Sequence, residues 1–360
     1  MRFTRNLPFY ILWTVGCTCP PPNQDALNIT SDPLQPQDPG RCLFRSILPS
    51  DTTVQALLCV FILMTIISLV INGCTLFSIG SSEDLSWQPR FALLKSLIVS
   101  DVLLIVTQGP TLTYCLLQKT TLPYGFWCVF QFFINTVCVF CTVLTITCMA
   151  LERYVYVCQA IYYISILTRK RLYCIVGFTW FTSVFFSTMI TFLLSLGHKS
   201  ALLDKPIAGL LCEPDTLEAH LGFPRAAAVF RKIVGLVVTL LCICSYSFSY
   251  VCMYQKAQNA VQPFHQVNNR ARTTVMFYCS MLLVQMLPIF LKIASDAVYE
   301  LEGNMAMYSG SWRSAGTLHI TLLVMLQFPP CVNPLIYGLR NKEVRAALPR
   351  LLFWRRENRH

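Results

Sequence analysis

The chain has 360 residues, of which 55% are hydrophobic and only 12% charged. A soluble domain carries about 25% charged residues, so a soluble fold of this composition would have no surface to show to water. The net charge of +11 does not point to nucleic acid, because much of it sits in a basic tail beside apolar segments, where anionic lipid headgroups are the expected partner.

In chain order, residues 1–52 are expected to be an extracellular N-terminal arm, irregular over 1–50 and rich in Pro, Asn and Gln. Arg2 and Arg5 stand before the short apolar run from Leu7 to Val15. That is either a signal peptide or an ordinary piece of the arm. Asn28-Ile29-Thr30 fits a glycosylation sequon with Asn28 as acceptor.

Residues 53–340 carry the apolar spans. No charge falls between Asp51 and Glu83, Lys119 and Glu152, Arg171 and Lys199, Lys232 and Lys256, Arg272 and Lys292, or Arg313 and Arg340. A seventh stretch, Lys95 to Lys119, holds one charge, Asp101. About 20 helical residues cross a 30 Å hydrocarbon layer, and lipid offers no partner for an unpaired backbone group. The sequence therefore predicts an all-α membrane protein with seven transmembrane helices, near 53–79, 91–117, 125–157, 171–196, 229–256, 271–296 and 313–338. The longest outer connection, about 197–228, joins the fourth and fifth spans.

Residues 341–360 form a basic cytoplasmic tail. Over about 341–354, Val344, Ala347, Leu348, Leu351 and Leu352 fall on one helical face, with Lys342 and Arg345 elsewhere. That pattern suits a short amphipathic helix lying on the inner membrane surface. The modest excess of Lys and Arg on this side is a positive-inside bias that puts the N-terminus outside, and the plasma membrane is the expected location.

Most of the 18 cysteines lie inside the spans, where they behave as small apolar residues. Cys17, Cys19, Cys42, Cys128 and Cys212 are external or nearly so. A partner for Cys42 is not specified. No cluster with metal-ligand or nucleophile–base spacing is present, so neither a metal site nor an enzyme is expected.

A carboxylate at mid-bilayer costs about 2.5–3.5 kcal/mol on insertion scales. Asp101 should therefore face the bundle and have partners, or be protonated; Asn72, Asn333 and Thr142 are the expected partners. The cluster is either a structural clasp or a hydrated polar core able to hold a sodium ion. Glu152-Arg153-Tyr154 closes the third span, 25 residues or about seven helical turns after Cys128. The seventh span ends Pro329-Pro330-Cys331-Val332-Asn333-Pro334-Leu335-Ile336-Tyr337, a bendable stretch because proline removes helix hydrogen bonds.

Glu152-Arg153-Tyr154, Asn333-Pro334-x-x-Tyr337, Cys128 with Cys212, Asp101, Asn72 and Trp180 together resemble the rhodopsin-like, G-protein-coupled receptors, in order and over most of residues 53–345. Met149 to Val155, continuing to Cys158 and Tyr163, resembles vertebrate olfactory receptors more narrowly. So do Pro329 to Arg345 and Ser245-Tyr246. Asn72-Gly73 is similar to the divergent branch typical of fish. Four departures stand out: Glu152 where that group has Asp, Ala160 where it has Pro, Cys212 alone in the long outer loop, and Met286 where many relatives carry Trp two residues before Pro288.

The resemblance implies a Cys128–Cys212 bridge tying the long loop over the bundle mouth. It implies a small organic odorant in the outer half of the bundle, walled by Phe132, Asn135, Thr136 and Val139 on the third span. Tyr278, Gln285 and Ile289 on the sixth span and His319, Leu323 and Gln327 on the seventh are further candidates. It implies that Arg153, paired at rest with Glu152, is released to meet a heterotrimeric, stimulatory G protein, with Tyr246 and Tyr337 stabilising that form. A peptide or lipid receptor of the same fold is the alternative. A transporter is disfavoured for want of repeats or further buried charges. A retinal protein is disfavoured because no Lys lies between Arg313 and Arg340.

Overall fold

The computed structural model describes residues 38–81, 88–196, 205–207, 209–221, 225–259 and 327–333, with the single positions 287, 291, 321, 323 and 324. Among these residues the regular structure is helical, apart from one isolated bridge between Pro123 and Pro206. The helices are α1 (Pro39–Ile47), α2 (Asp51–Gly80), α3 (Pro89–Gln118), α4 (Phe126–Cys158), α5 (Tyr163–Ile166), α6 (Arg169–Ser195), α7 (Pro214–Leu221) and α8 (Arg225–Asn259), with a 3-10 turn, Ala160–Tyr162, before α5.

Five of these, α2, α3, α4, α6 and α8, are long and apolar enough to cross a membrane. They match the first five expected spans and overrun most of the expected ends by one to four residues. The helix continues where its apolar run stops, because the backbone bonds persist after the side chains leave the hydrocarbon. The expected sixth span and the tail helix fall outside the described residues, apart from helical positions 287 and 291. Residues 327–333 of the seventh are helical.

Among the described helices α3 and α4 are the most enclosed, with 67% and 56% of their most apolar windows buried, against 17% for α2. The outward face of α2 shows Leu63, Ile66, Ile67, Val70 and Phe77, a belt that lipid can cover. α2 meets α3 closely at Gly109, where a Cβ would lie 2.8 Å from Thr65 Cγ2. Glycine leaves room for that approach, as small residues do at membrane helix contacts generally. Pro110 beside it interrupts the α3 hydrogen-bond ladder.

The expectation of an irregular arm through residue 50 is corrected over 39–47. Asp38 caps α1, accepting from Gly40 N at 3.1 Å, and Pro39 occupies the first turn, where its missing N–H costs nothing. Phe44 and Leu48 are buried, whereas Arg41 and Arg45 are exposed. Nine residues are too few for a sustained periodicity, but Asp-Pro was a legible start signal.

α1 belongs to a cap built from three loops at the Cys128 end of the bundle. Thr121 N donates to Gly40 O at 3.3 Å, tying α1 to the α3–α4 connection. Tyr124 N donates to Lys205 O at 2.8 Å and Ile207 N to Leu122 O at 2.9 Å, tying that connection to the α6–α8 loop. Ile207, Leu210, Leu211 and Leu217 are fully buried beneath them. One continuous core joins Phe44 and Leu48 of the cap to Phe61, Leu112, Phe132, Leu194 and Leu323 of the bundle.

Candidate functional site

Four groups of sequence-selected residues can be placed, and α4 runs past all of them. At one end, Cys128 and Cys212 are disulfide-bonded, with Cα atoms 5.3 Å apart, so the bridge implied by the resemblance is present. Gln131, one turn further along α4, is fully buried. Its Nε2 donates to Thr107 O at 3.3 Å and its Oε1 accepts from Cys212 N at 3.5 Å. The amide thus links α3, α4 and the bridged loop. Gln131 was missed because its function depends on a loop 81 residues away, which no local pattern reveals. Cys42 is also disulfide-bonded, with its partner outside the described residues.

Just beyond lie the expected ligand-facing residues. Phe132 is buried in the core that continues from the cap, together with Leu323 of the seventh span. Asn135 is half-buried and its Oδ1 accepts from Thr107 Oγ1 at 3.4 Å. Thr136 spends its hydroxyl on Phe132 O of its own helix, at 2.8 Å. Val139 is open. Gln327 is 4% exposed, yet its Nε2 has no hydrogen-bond partner. A buried amide without a partner costs about 1–3 kcal/mol, and a water or ligand acceptor would relieve that. Tyr278, Gln285, Ile289 and His319 lie outside the described residues.

In the middle of the bundle sits a polar band. Asp101 is 2% exposed and accepts from Asn333 Nδ2 at 3.0 Å. The other two expected partners are corrected: neither Asn72 nor Thr142 bonds it. Thr142 shares a hydrogen bond with Ser100 at 3.1 Å. Asn72 Nδ2 donates to Pro330 O at 2.9 Å and to Ser68 O at 2.9 Å, and Ser68 Oγ also donates to Pro330 O at 3.0 Å. The reason is in the sequence. The Pro330 carbonyl would accept from the N–H four residues on, but residue 334 is proline and has none. Asn72 and Ser68 take that carbonyl, so the first span holds the seventh through a bond that proline leaves vacant. Trp180 Nε1 donates to Ser96 Oγ at 2.9 Å, joining α6 to α3 on the opposite side.

At the far end of α4, Glu152 is buried and Arg153 and Tyr154 are half-buried. Arg153 and Arg90 lie within electrostatic reach of the Glu152 carboxylate. Its hydrogen bond, however, comes from Tyr163 Oη at 2.7 Å. Burial, reinforced by that carboxylate, pushes the Tyr163 phenol above its ordinary range, so it stays a donor at neutral pH. Tyr163 also meets Tyr156 edge-on, with ring centroids 5.3 Å apart. Tyr163 was legible only as part of a stretch similar to other receptors; its bond to Glu152 needs the chain to turn back after α4.

That turn forms although Ala160 replaces the expected Pro. The end of α5 is closed by Arg171 Nη1, which donates to Ser165 O and Ile166 O at 3.2 Å each. The result displays Ile161 and Ile164, 92% and 84% exposed. Tyr154 packs on Phe248 of α8 with centroids 5.4 Å apart, and Tyr246, buried, stacks on Tyr250. Pro334, Tyr337 and Asn28 lie outside the described residues. No group of three or more metal-ligating side chains occurs among the described residues.

Residues 71–337 match the family described as 7 transmembrane receptor (rhodopsin family). Among curated proteins, the chain is similar to olfactory receptor 2G3 of Homo sapiens, 23% identical over 83% of this chain and 92% of that one. Olfactory receptor 2AG2 of Homo sapiens is 25% identical over 85% and 92%. Olfactory receptor 1G1 of Gorilla gorilla gorilla is 24% identical over 75% and 80%.

Proposed function

Because the chain belongs to the rhodopsin family of seven-transmembrane receptors, we propose that it is a chemosensory receptor for small organic odorants, activating a stimulatory heterotrimeric G protein at the plasma membrane. The observation that carries the reading is the polarity of α4. One helix of 33 residues is welded to the capping loops at its Cys128 end and presents Glu152, Arg153 and Tyr154 at the other. The similarity to olfactory receptors along most of the chain gives the ligand class.

In this reading the cap is extracellular and the Arg153 end cytoplasmic. The odorant sits below the cap among Asn135, Thr136, Val139 and Gln327, where apolar walls with a few amides suit a neutral molecule. It shifts the receptor only by binding the active arrangement better than the resting one. Glu152 and Tyr163 hold the α4 end at rest, and the active form frees Arg153 for the G protein while Ile161 and Ile164 offer apolar contact. Asp101, Ser100, Thr142 and Asn333 supply hard oxygen donors fit for a sodium ion between the two ends. The basic tail lies on anionic lipid.

A cyclic-AMP reporter screened with volatile organics, bile salts and amino acids tests this. A ligand-dependent rise is expected, and Arg153→Ala should abolish it with surface delivery unchanged. A full response from that variant would refute the activation scheme. A peptide-only response would replace the odorant assignment.

A further inference from the structure

α4 and α8 are the third and fifth spans, so both run in the same direction through the membrane. Tyr154 of α4 packs on Phe248 of α8 with ring centroids 5.4 Å apart. One turn further along each helix, four residues on, stand Cys158 and Cys252. Parallel helices in fixed register bring the next turns opposite one another as well. Further back along the same seam, Cys242 of α8 meets Thr147 of α4. Packed helix axes lie about 8–10 Å apart with Cα atoms about 2.3 Å from each axis. Facing Cα atoms then come within about 6 Å, which is disulfide range.

Cys158 lies within electrostatic reach of both Cys252 and Lys256. The two thiols are free and half-exposed, and Lys256 is exposed. They differ from the other cysteines along this part of the seam: Cys242 is buried and Cys148 stands further from the helix end. Nothing in the proposed activation uses them.

We propose that Cys158 and Cys252 are an oxidative modification site, forming a reversible disulfide that staples the third and fifth spans at the Arg153 end. The oxidant is a hydroperoxide. One thiol, through its small thiolate fraction, attacks the peroxide oxygen and becomes a sulfenic acid as an alcohol or water leaves with the first proton. The second thiol displaces hydroxide from that sulfur, leaving as water with the second proton. Two thiols are oxidised by two electrons and the O–O bond is reduced. A dithiol such as reduced thioredoxin reverses it by exchange. That this chemistry occurs in the cytosol rests on the orientation proposed above; the pairing itself does not.

The test uses the full-length receptor purified in lipid nanodiscs, exposed to hydrogen peroxide, alkylated and digested for mass spectrometry. The expected result is a linked peptide pair joining Cys158 to Cys252, released by dithiothreitol. It should be absent from Cys158→Ser and Cys252→Ser, each of which leaves the other thiol alkylated. The Cys128–Cys212 pair, present throughout, reports that every sample is folded. If both thiols of the folded wild-type receptor are alkylated after oxidation, or either is linked elsewhere, the proposal falls. Because the readout is a peptide mass, it stands or fails independently of odorant signalling.

Discussion

At the Cys128 end, three separate loops are braced by backbone hydrogen bonds, a disulfide and a core containing Phe44, Leu48, Ile207, Leu210 and Leu211. At the Arg153 end, the α4–α6 connection is held by Tyr163 on Glu152 and by Arg171 on two carbonyls, while Ile161 and Ile164 face outward. The physical settings differ too. The cap lies beyond the spans, where water makes apolar burial favourable. Between helices in lipid that drive is lacking, and close packing and polar contacts must serve instead. A receptor built this way has one end that keeps its shape and one that can be rearranged by small energies.

The braced end is disturbed most severely at its disulfide. Removing it with Cys128→Ser frees a sequence separation of 84 residues, worth about 4.5 kcal/mol on the chain-entropy estimate. Loss of surface delivery is expected, read by flow cytometry of a tagged receptor. Normal delivery would show that the hydrogen-bonded cap suffices. Phe44→Ala, which empties a site 1% exposed, should cost about 4 kcal/mol. A lowered melting temperature of the purified receptor checks it, with Arg45→Ala, on the exposed side of α1, as the near-neutral control.

Gly109→Ala sharpens the contrast inside the spans, because its methyl would press on Thr65. A loss of about 1–3 kcal/mol is expected for such overpacking. Thr65→Ala in the same chain should restore most of it; additive losses would mean the two positions do not touch. The smallest effect belongs to the Arg153 end. Tyr163→Phe removes one donor to a carboxylate at the helix end, where water can take its place, a net loss of about 0.5–1.5 kcal/mol. Little change in melting temperature but a raised basal cyclic-AMP signal is expected. A quiet variant would show that Tyr163 does not hold the resting state.

Much of this was legible beforehand. Four charge-free runs and the Lys95–Lys119 stretch, whose one inner charge is Asp101, marked five described spans within a few residues, because the hydrocarbon imposes its thickness on any chain that crosses it. Asp101 had to be buried and partnered, and Asn333 is its partner. The other polar assignments failed in an instructive way. Asn72 and Thr142 do lie in the polar band, but their bonds go to Pro330 and Ser100. Residue type fixes which groups need partners; only the relative rotation of helices fixes which partner each meets.

The sequence alone determined that the chain crosses the membrane in apolar helices, which residues carry charge or cysteine, and where proline would leave a carbonyl vacant. These follow from local composition against a solvent of known thickness and polarity. Tertiary structure decided that α1 closes a cap and that Gln131 joins α3 to the bridged loop. It also decided that Tyr163 reaches Glu152 and that Tyr154 meets Phe248, one turn before Cys158 and Cys252. Each of these joins residues separated by a turn of the chain, and their meeting depends on packing that no window of sequence contains.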